Sequence, residues 1–231
     1  GDTEAWNVPR TLLNAQLRHA GGDERVLDVT DVEIVETEQR SRAAVALCVD
    51  TSWSMVMDGR WVPMKRTALA LHQLISTRFR GDDLKLITFG PFAREVQLGE
   101  LIGLEGTWEK GTNLHHALIL AGQHLRRNPD AQPVVLVVTD GEPTSHLDRD
   151  GNMIFDWPPS RETLRATVAE VDRVAAQHAS ITFFMLGDDP RLAEFIDGVA
   201  RRCGGRVVAP TLDGLGAEVV SDYISTRRAR A

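Results

Sequence analysis

Cysteine is nearly absent from this chain: Cys48 and Cys203 are the only two among 231 residues. One pair cannot make a disulfide-stapled scaffold, and both positions read as small buried fillers. Such usage fits a reducing, cytoplasmic setting. Positive charge is also in deficit, with 26 Lys plus Arg against 33 Asp plus Glu and a net charge of −7. That balance excludes nucleic acid as the main partner. No apolar run approaches the ~20 residues that cross a bilayer, so no membrane span is expected. A leader pattern is missing too, and the opening Gly1-Asp2-Thr3 without Met reads as the start of an excised piece. Internal repeats and low-complexity tracts do not occur. The length suffices for one sizeable α/β domain whose core needs no staples, expected as a monomer.

What the chain does have is chemistry at the ends of apolar runs. Ala43 to Val49 reads as a fully buried strand and delivers Asp50-Thr51-Ser52-Trp53-Ser54. One carboxylate and two hydroxyls at alternate positions can turn three oxygens toward one point. Lys110-Gly111-Thr112-Asn113 offers a further hydroxyl just before a helix. A second buried run, Val134 to Val138, delivers Thr139-Asp140-Gly141. Asp50, Ser52, Ser54, Thr112 and Asp140 together form an all-oxygen set, which suits Mg²⁺ or Mn²⁺. Taken alone, Asp50 to Ser54 could equally be a helix N-cap.

After residue 42 strands and helices alternate, the pattern of a mostly parallel, doubly wound sheet with helices on both faces. Predicted helices run over Val62 to Phe79, from Thr112 to Asn128, from the cap Ser160 onward, from Asp189-Pro190 to Gly204, and toward Tyr223. Further strands are expected at Leu84 to Phe89, Ile181 to Leu186 and Arg206 to Ala209. A short one at Glu95 to Leu98 should pair back on its predecessor as an antiparallel edge. Ser145 to Pro159 reads as a long polar insertion. Residues 1–40, with a helix at Thr11 to Leu17 and a strand near Val32 to Val35, read as a flank packed on a domain of residues 41–231. In open parallel sheets, ligands bind beyond the carboxyl ends of strands where the strand order reverses. If Ala43 to Val49 and Val134 to Val138 are neighbours, Asp50 and Asp140 share that point.

Other chemistries fit less well. A dinucleotide site needs a glycine-rich first turn, which Asp50 to Ser54 lacks. Gly106 to Thr112 resembles a phosphate loop only superficially, because the lysine after the last glycine is missing. Asp50 could serve as an aspartyl nucleophile, yet Ser52 stands where a second carboxylate would be wanted. Asp148 to Asn152 echoes a calcium loop with its glycine misplaced. His115, His116 and His146 raise a zinc alternative, although neighbouring helical histidines diverge and hydroxyl ligands do not favour zinc. Four of the five tryptophans, Trp53, Trp61, Trp108 and Trp157, fall on or near the same rim. Trp53, Trp108 and Trp157 are the candidate partner-binding residues, and Trp53 is the one most expected to be exposed.

The ordered set D-x-S-x-S, loop Thr and T-D-G resembles the metal-ion-dependent adhesion site of von Willebrand factor type A domains. Val62 to Leu71, Gly111 to Leu118, Val138 to His146, Trp157-Pro158-Pro159 and Phe183 to Leu186 look like the bacterial subfamily linked to MoxR-type AAA+ ATPases and magnesium-chelatase-like proteins. The likeness runs from about Val8 to Tyr223. It implies a Rossmann-like fold and a non-enzymatic module that holds a cation. Ser52, Ser54 and Thr112 would be ligands, with Asp50 and Asp140 acting largely through water. An Asp or Glu of a protein partner would complete the coordination, and the implied partner is an AAA+ ATPase of that type. The alternative is a secreted or surface adhesion module binding extracellular protein. Trp53 departs from the small residue most common at its position in these domains.

Overall fold

In the computed structural model of the protein, residues 7–21, 27–33, 42–105 and 110–228 are described. The chain divides into two compact units, Gly1–Arg40 and Ser41–Ala231. The first holds helix α1 (Val8–Ala20), longer than expected because Asn7 caps it and Pro9 suits its first turn. A single 3-10 turn follows at Val29–Asp31, closed by a reciprocal capping box between Asp28 and Asp31. Arg18 reaches Asp31 at 2.7 Å and ties this turn to α1. Val32 caps that turn and is not in a strand, while residues 34 and 35 of the expected strand lie outside the described residues.

The second unit contains, in chain order, β1 (Ala43–Asp50), α2 (Trp53–Met57), α3 (Trp61–Arg78), β2 (Asp83–Phe89), β3 (Ala93–Val96), α4 (Leu98–Gly103), α5 (Leu114–Arg127) and β4 (Gln132–Thr139). Then come β5 (Ser145–Leu147), β6 (Met153–Phe155), α6 (Arg161–Ala175), β7 (Ser180–Met185), α7 (Pro190–Cys203), β8 (Arg206–Val208) and α8 (Leu215–Arg228). Six strands form one sheet in the order β3-β2-β1-β4-β7-β8. Every pairing in it is parallel except that of β3, which returns antiparallel along β2.

Strand β1 lies at the centre, and its unbroken apolar run follows from that position. Ala44, Ala46 and Cys48 pack with α5, α6 and α7 on one face. Ala43, Val45, Leu47 and Val49 pack with α3 and α8 on the other. Burying each of the larger of these side chains stabilises the fold by about 1.5–3 kcal/mol. Cys48 is one of these fillers; it and the half-buried Cys203 are both unpaired thiols.

Helix ends follow the local sequence. Asn113 accepts from the His116 amide at 3.0 Å and starts α5. Ser160 and Asp189 cap α6 and α7 in the same way, and Gly204 ends α7 at a φ of 65°, where only glycine is unstrained.

Two further expectations need correction. The edge strand spans Ala93–Val96, two residues earlier than Glu95 to Leu98, because Phe89 pairs with Ala93 and Leu98 already opens α4. The polar insertion is not all loop: β5 and β6 pair antiparallel, with Ser145 opposite Phe155. Strands of three residues carry too little alternation to be read from sequence. The five-residue α2, which holds Trp53 and Ser54, was likewise unanticipated.

The amino edge of the sheet is locked by one charged residue. Asp82 accepts from the Ala43 amide at 2.8 Å, from Arg227 Nε at 2.9 Å, and from the Tyr223 hydroxyl. Arg227 also donates to Gln132 Oε1 at 2.7 Å. The end of α8 is thereby fastened to the starts of β1 and β4.

Candidate functional site

At the carboxyl edge the same sheet presents a different arrangement. Val49 pairs with Val138 in parallel register, so Asp50 and the segment Thr139-Asp140 leave the sheet side by side. The order of strands reverses here: the chain moves from β1 outward to β2 and β3, then returns past β1 to β4. Asp50 is fully buried. Its Oδ2 accepts from Thr139 Oγ1 at 2.7 Å and its Oδ1 from the Ser52 amide at 2.8 Å. Burial first, then the charge of Asp140, push its carboxyl up to about 7.

Ser54 Oγ donates to Asp140 Oδ1 at 2.8 Å, and Ser52 Oγ lies 3.3 Å from Ser54 Oγ. Burial raises the Asp140 carboxyl as well, against the opposing pull of hydrogen bonds from Ser54 and Arg60. Thr112 enters on a loop anchored at several points. Its amide donates to Thr144 Oγ1 at 2.9 Å, its carbonyl accepts from the Thr144 amide at 3.1 Å, and the Asn113 amide donates to the Gly90 carbonyl at 2.8 Å. Gly111 makes this path possible: at a φ of 132° a side chain there would come within 2.7 Å of Ser145 Oγ. The Thr112 hydroxyl ends up beside Gly141, 3.9 Å from where a Cβ would stand on that glycine. Asp50, Ser52, Ser54 and Asp140 thus form one hydrogen-bonded group, faced by Thr112.

The donor set is two carboxylates and three hydroxyls, the chemistry of a hard cation. Among the described residues no cluster of three or more His, Cys, Asp or Glu could hold a metal ion. The histidines are occupied structurally. His115 Nδ1 accepts from the Leu147 amide at 3.2 Å and His116 Nδ1 from the Ala93 amide at 3.0 Å. His146 Nδ1 bonds Thr163 Oγ1 at 3.0 Å. Asp148 accepts from the amides of Asp150 and Asn152, which makes it a self-contained turn.

One residue of the site was not anticipated. Arg60 Nη1 stands 2.5 Å from Asp140 Oδ2 and 2.8 Å from Asp58 Oδ2, with its side chain only 17% exposed. The guanidinium lies across Gly187, where a Cβ would come within 2.7 Å of Nη2. In the sequence only the turn Asp58-Gly59 marks the place, and no periodicity points an arginine there inward.

The aromatic candidates separate. Trp53 is 41% exposed on α2, between two of the hydroxyl residues. Trp157 is 65% exposed, with the Arg191 guanidinium 5.7 Å from its ring. Trp108 lies outside the described residues. Phe92, at the β2–β3 turn, and Met57, in the last position of the short α2, are also exposed and were missed, because single exposed apolar residues carry no sequence signal.

The sheet order and helix placement are those of a doubly wound α/β domain, and the family match makes its class a von Willebrand factor type A domain. Residues 43–224 match the family described as "Rv0959-like protein, vWA domain", and the chain belongs to that family. Residues 1–37 match the model described as "Rv0959-like protein, third domain". Among its relatives is the "Uncharacterized protein Rv0959" of Mycobacterium tuberculosis, 61% identical over 99% of this chain and 35% of the relative. The chain therefore spans about a third of the length of the curated relatives it matches. Among solved structures, "von Willebrand factor type A from Catenulispora acidiphila" superimposes with a TM-score of 0.63 at 16% identity, covering 81% of this chain and 43% of that one. A structure of proximal thread matrix protein 1 from the mussel byssus "with zinc occupied MIDAS motif" gives 0.54 at 15% identity, covering 80% and 48%. At such identities these likenesses speak to fold alone. The family is one of protein-interaction and adhesion modules. Among the described residues no helix is long and apolar enough to cross a membrane.

Proposed function

We propose that this domain is a non-enzymatic, metal-dependent protein-interaction module. Asp50, Ser52, Ser54, Thr112 and Asp140 would hold Mg²⁺ or Mn²⁺ as a metal-ion-dependent adhesion site, and a partner's Asp or Glu would complete the coordination. The observation that carries this reading is the gathering of Ser52, Ser54 and Asp140 around the buried Asp50 at the point of strand reversal. Two buried carboxylates whose protons are held unusually firmly are costly to leave ionised without a cation. A divalent ion would relieve that cost and leave the hydroxyls as neutral ligands. Exposed Trp53 and Trp157 would supply apolar burial around the polar contact.

The partner proposed is a MoxR-type AAA+ ATPase acting in protein or metallo-complex assembly. Its support is the resemblance of Val62 to Leu71, Gly111 to Leu118 and Val138 to His146 to domains linked to such ATPases. A cytoplasmic setting is proposed with it, in keeping with two unpaired cysteines. The test is binding of a purified MoxR-type ATPase from the same organism to the chelator-stripped domain, with and without Mg²⁺. Binding should require the ion and be lost in Thr112→Ala. Binding indifferent to chelation and to that substitution would remove the metal from the interaction. Turnover of ATP or a phosphoester that disappears in Asp50→Asn would contradict the non-enzymatic part.

A further inference from the structure

We infer that Arg60 is a tethered cation that competes with the divalent ion for Asp140 and sets the affinity of the site. This inference rests on the metal reading above and adds its regulation. The guanidinium occupies one oxygen of Asp140, at 2.5 Å, while Ser54 occupies the other at 2.8 Å. Both oxygens of that carboxylate are therefore engaged within the chain. The position is built: Asp140's side chain is fully buried, and Gly187 removes the side chain that would collide with Nη2. A divalent ion beside Asp140 would meet a positive charge already in place, and like charges a few ångströms apart in a water-poor site repel strongly.

Arg60 also has a second seat. The same Nη1 lies 2.8 Å from Asp58 Oδ2, and the Asp58 side chain is 55% exposed at the rim. When the ion binds, the guanidinium can give up Asp140 and keep Asp58, moving outward without losing its counter-charge. The edge that would receive a partner's carboxylate would then carry a second cationic group. Metal occupancy and rim charge would be linked through one side chain.

The test is calorimetric titration of the chelator-stripped protein with MgCl₂ and MnCl₂, comparing wild type, Arg60→Gln and Arg60→Lys. Arg60→Gln should bind at least about tenfold more tightly, because the competing charge is gone. Arg60→Lys, which keeps the charge, should stay within about threefold of wild type. In chelator, Arg60→Gln should melt below wild type and gain more from added Mg²⁺. If it cannot fold in chelator, Mg²⁺ should restore its circular dichroism spectrum, and failure to do so overturns the proposal. Equal or weaker binding by Arg60→Gln, with wild type binding normally, overturns the competition alone. No binding by any of the three proteins overturns the metal reading and the competition together. Binding by Arg60→Gln but not by wild type would support the competition and contradict the wild-type ion site proposed above.

Discussion

The two edges of one sheet treat buried aspartates in opposite ways. At the amino edge Asp82 is matched: an amide, a tyrosine hydroxyl and the Arg227 guanidinium satisfy its two oxygens, and Gln132 extends the network to β4. At the carboxyl edge Asp50 and Asp140 crowd together, with hydroxyls as neighbours and one arginine, Arg60, which reaches Asp140. The first arrangement holds the fold together. The second leaves negative charge in excess where strands diverge, which is what a cation site requires. Burial by itself does not distinguish the two; the balance of partners does.

The largest expected effect lies at the amino edge. Asp82→Ala leaves Arg227 with a buried charge lacking its carboxylate, and breaking such a pair costs about 3–5 kcal/mol. Thermal melting should fall by roughly 10 °C on that basis, with Mg²⁺ affinity unchanged. A loss of metal affinity in that variant would collapse the distinction between the edges.

The carboxyl edge should behave in the reverse sense. Asp50→Asn removes a charge that burial already disfavours, so melting in chelator should hold or rise, while Mg²⁺ affinity falls about 10- to 100-fold. Trp53→Ala should weaken partner binding roughly thirtyfold, the equivalent of about 2 kcal/mol for a central interface tryptophan, and leave ion affinity intact. Parallel losses of both would make Trp53 a structural support of α2.

The smallest effect concerns protons at both edges. Burial depresses His115 and His116 near the carboxyl edge, and His124, whose ring lies 3.2 Å from the Asp83 carbonyl at the amino edge. A depressed imidazole contributes stability above its unfolded value of 6.5 and loses it as pH falls through the folded value. The histidine contribution to the melting temperature should therefore drop between pH 7.5 and 5.5, against an opposite trend from Asp50, whose raised carboxyl takes up its proton as pH falls through about 7. His124→Gln should blunt that drop and leave the ion titration unchanged.

Much of the sheet was legible in the sequence, because β1 and β4 are apolar on both faces and helix caps such as Ser160 and Asp189 announce themselves. The order placing β1 beside β4 followed from requiring Asp50 and Asp140 to meet. The hairpin β5–β6, α2 and the start of β3 were not legible, since each is short and set by tertiary contacts. Four site residues, Asp50, Ser52, Ser54 and Asp140, form one hydrogen-bonded group, and Thr112 reaches the same place through a glycine-dependent loop. Arg60 was invisible because its inward turn depends on space left by Gly187, about 130 residues further along the chain.

The central claim is that the carboxyl edge binds a hard divalent cation through oxygen ligands. Its most direct test is calorimetric titration of the chelator-stripped protein with Mg²⁺, Mn²⁺ and Zn²⁺, in wild type and in the Ser52→Ala/Ser54→Ala double variant. The account predicts a single site preferring Mg²⁺ or Mn²⁺ that disappears in the double variant. Zinc binding that survives loss of both serines but vanishes in His115→Ala or His116→Ala would contradict it.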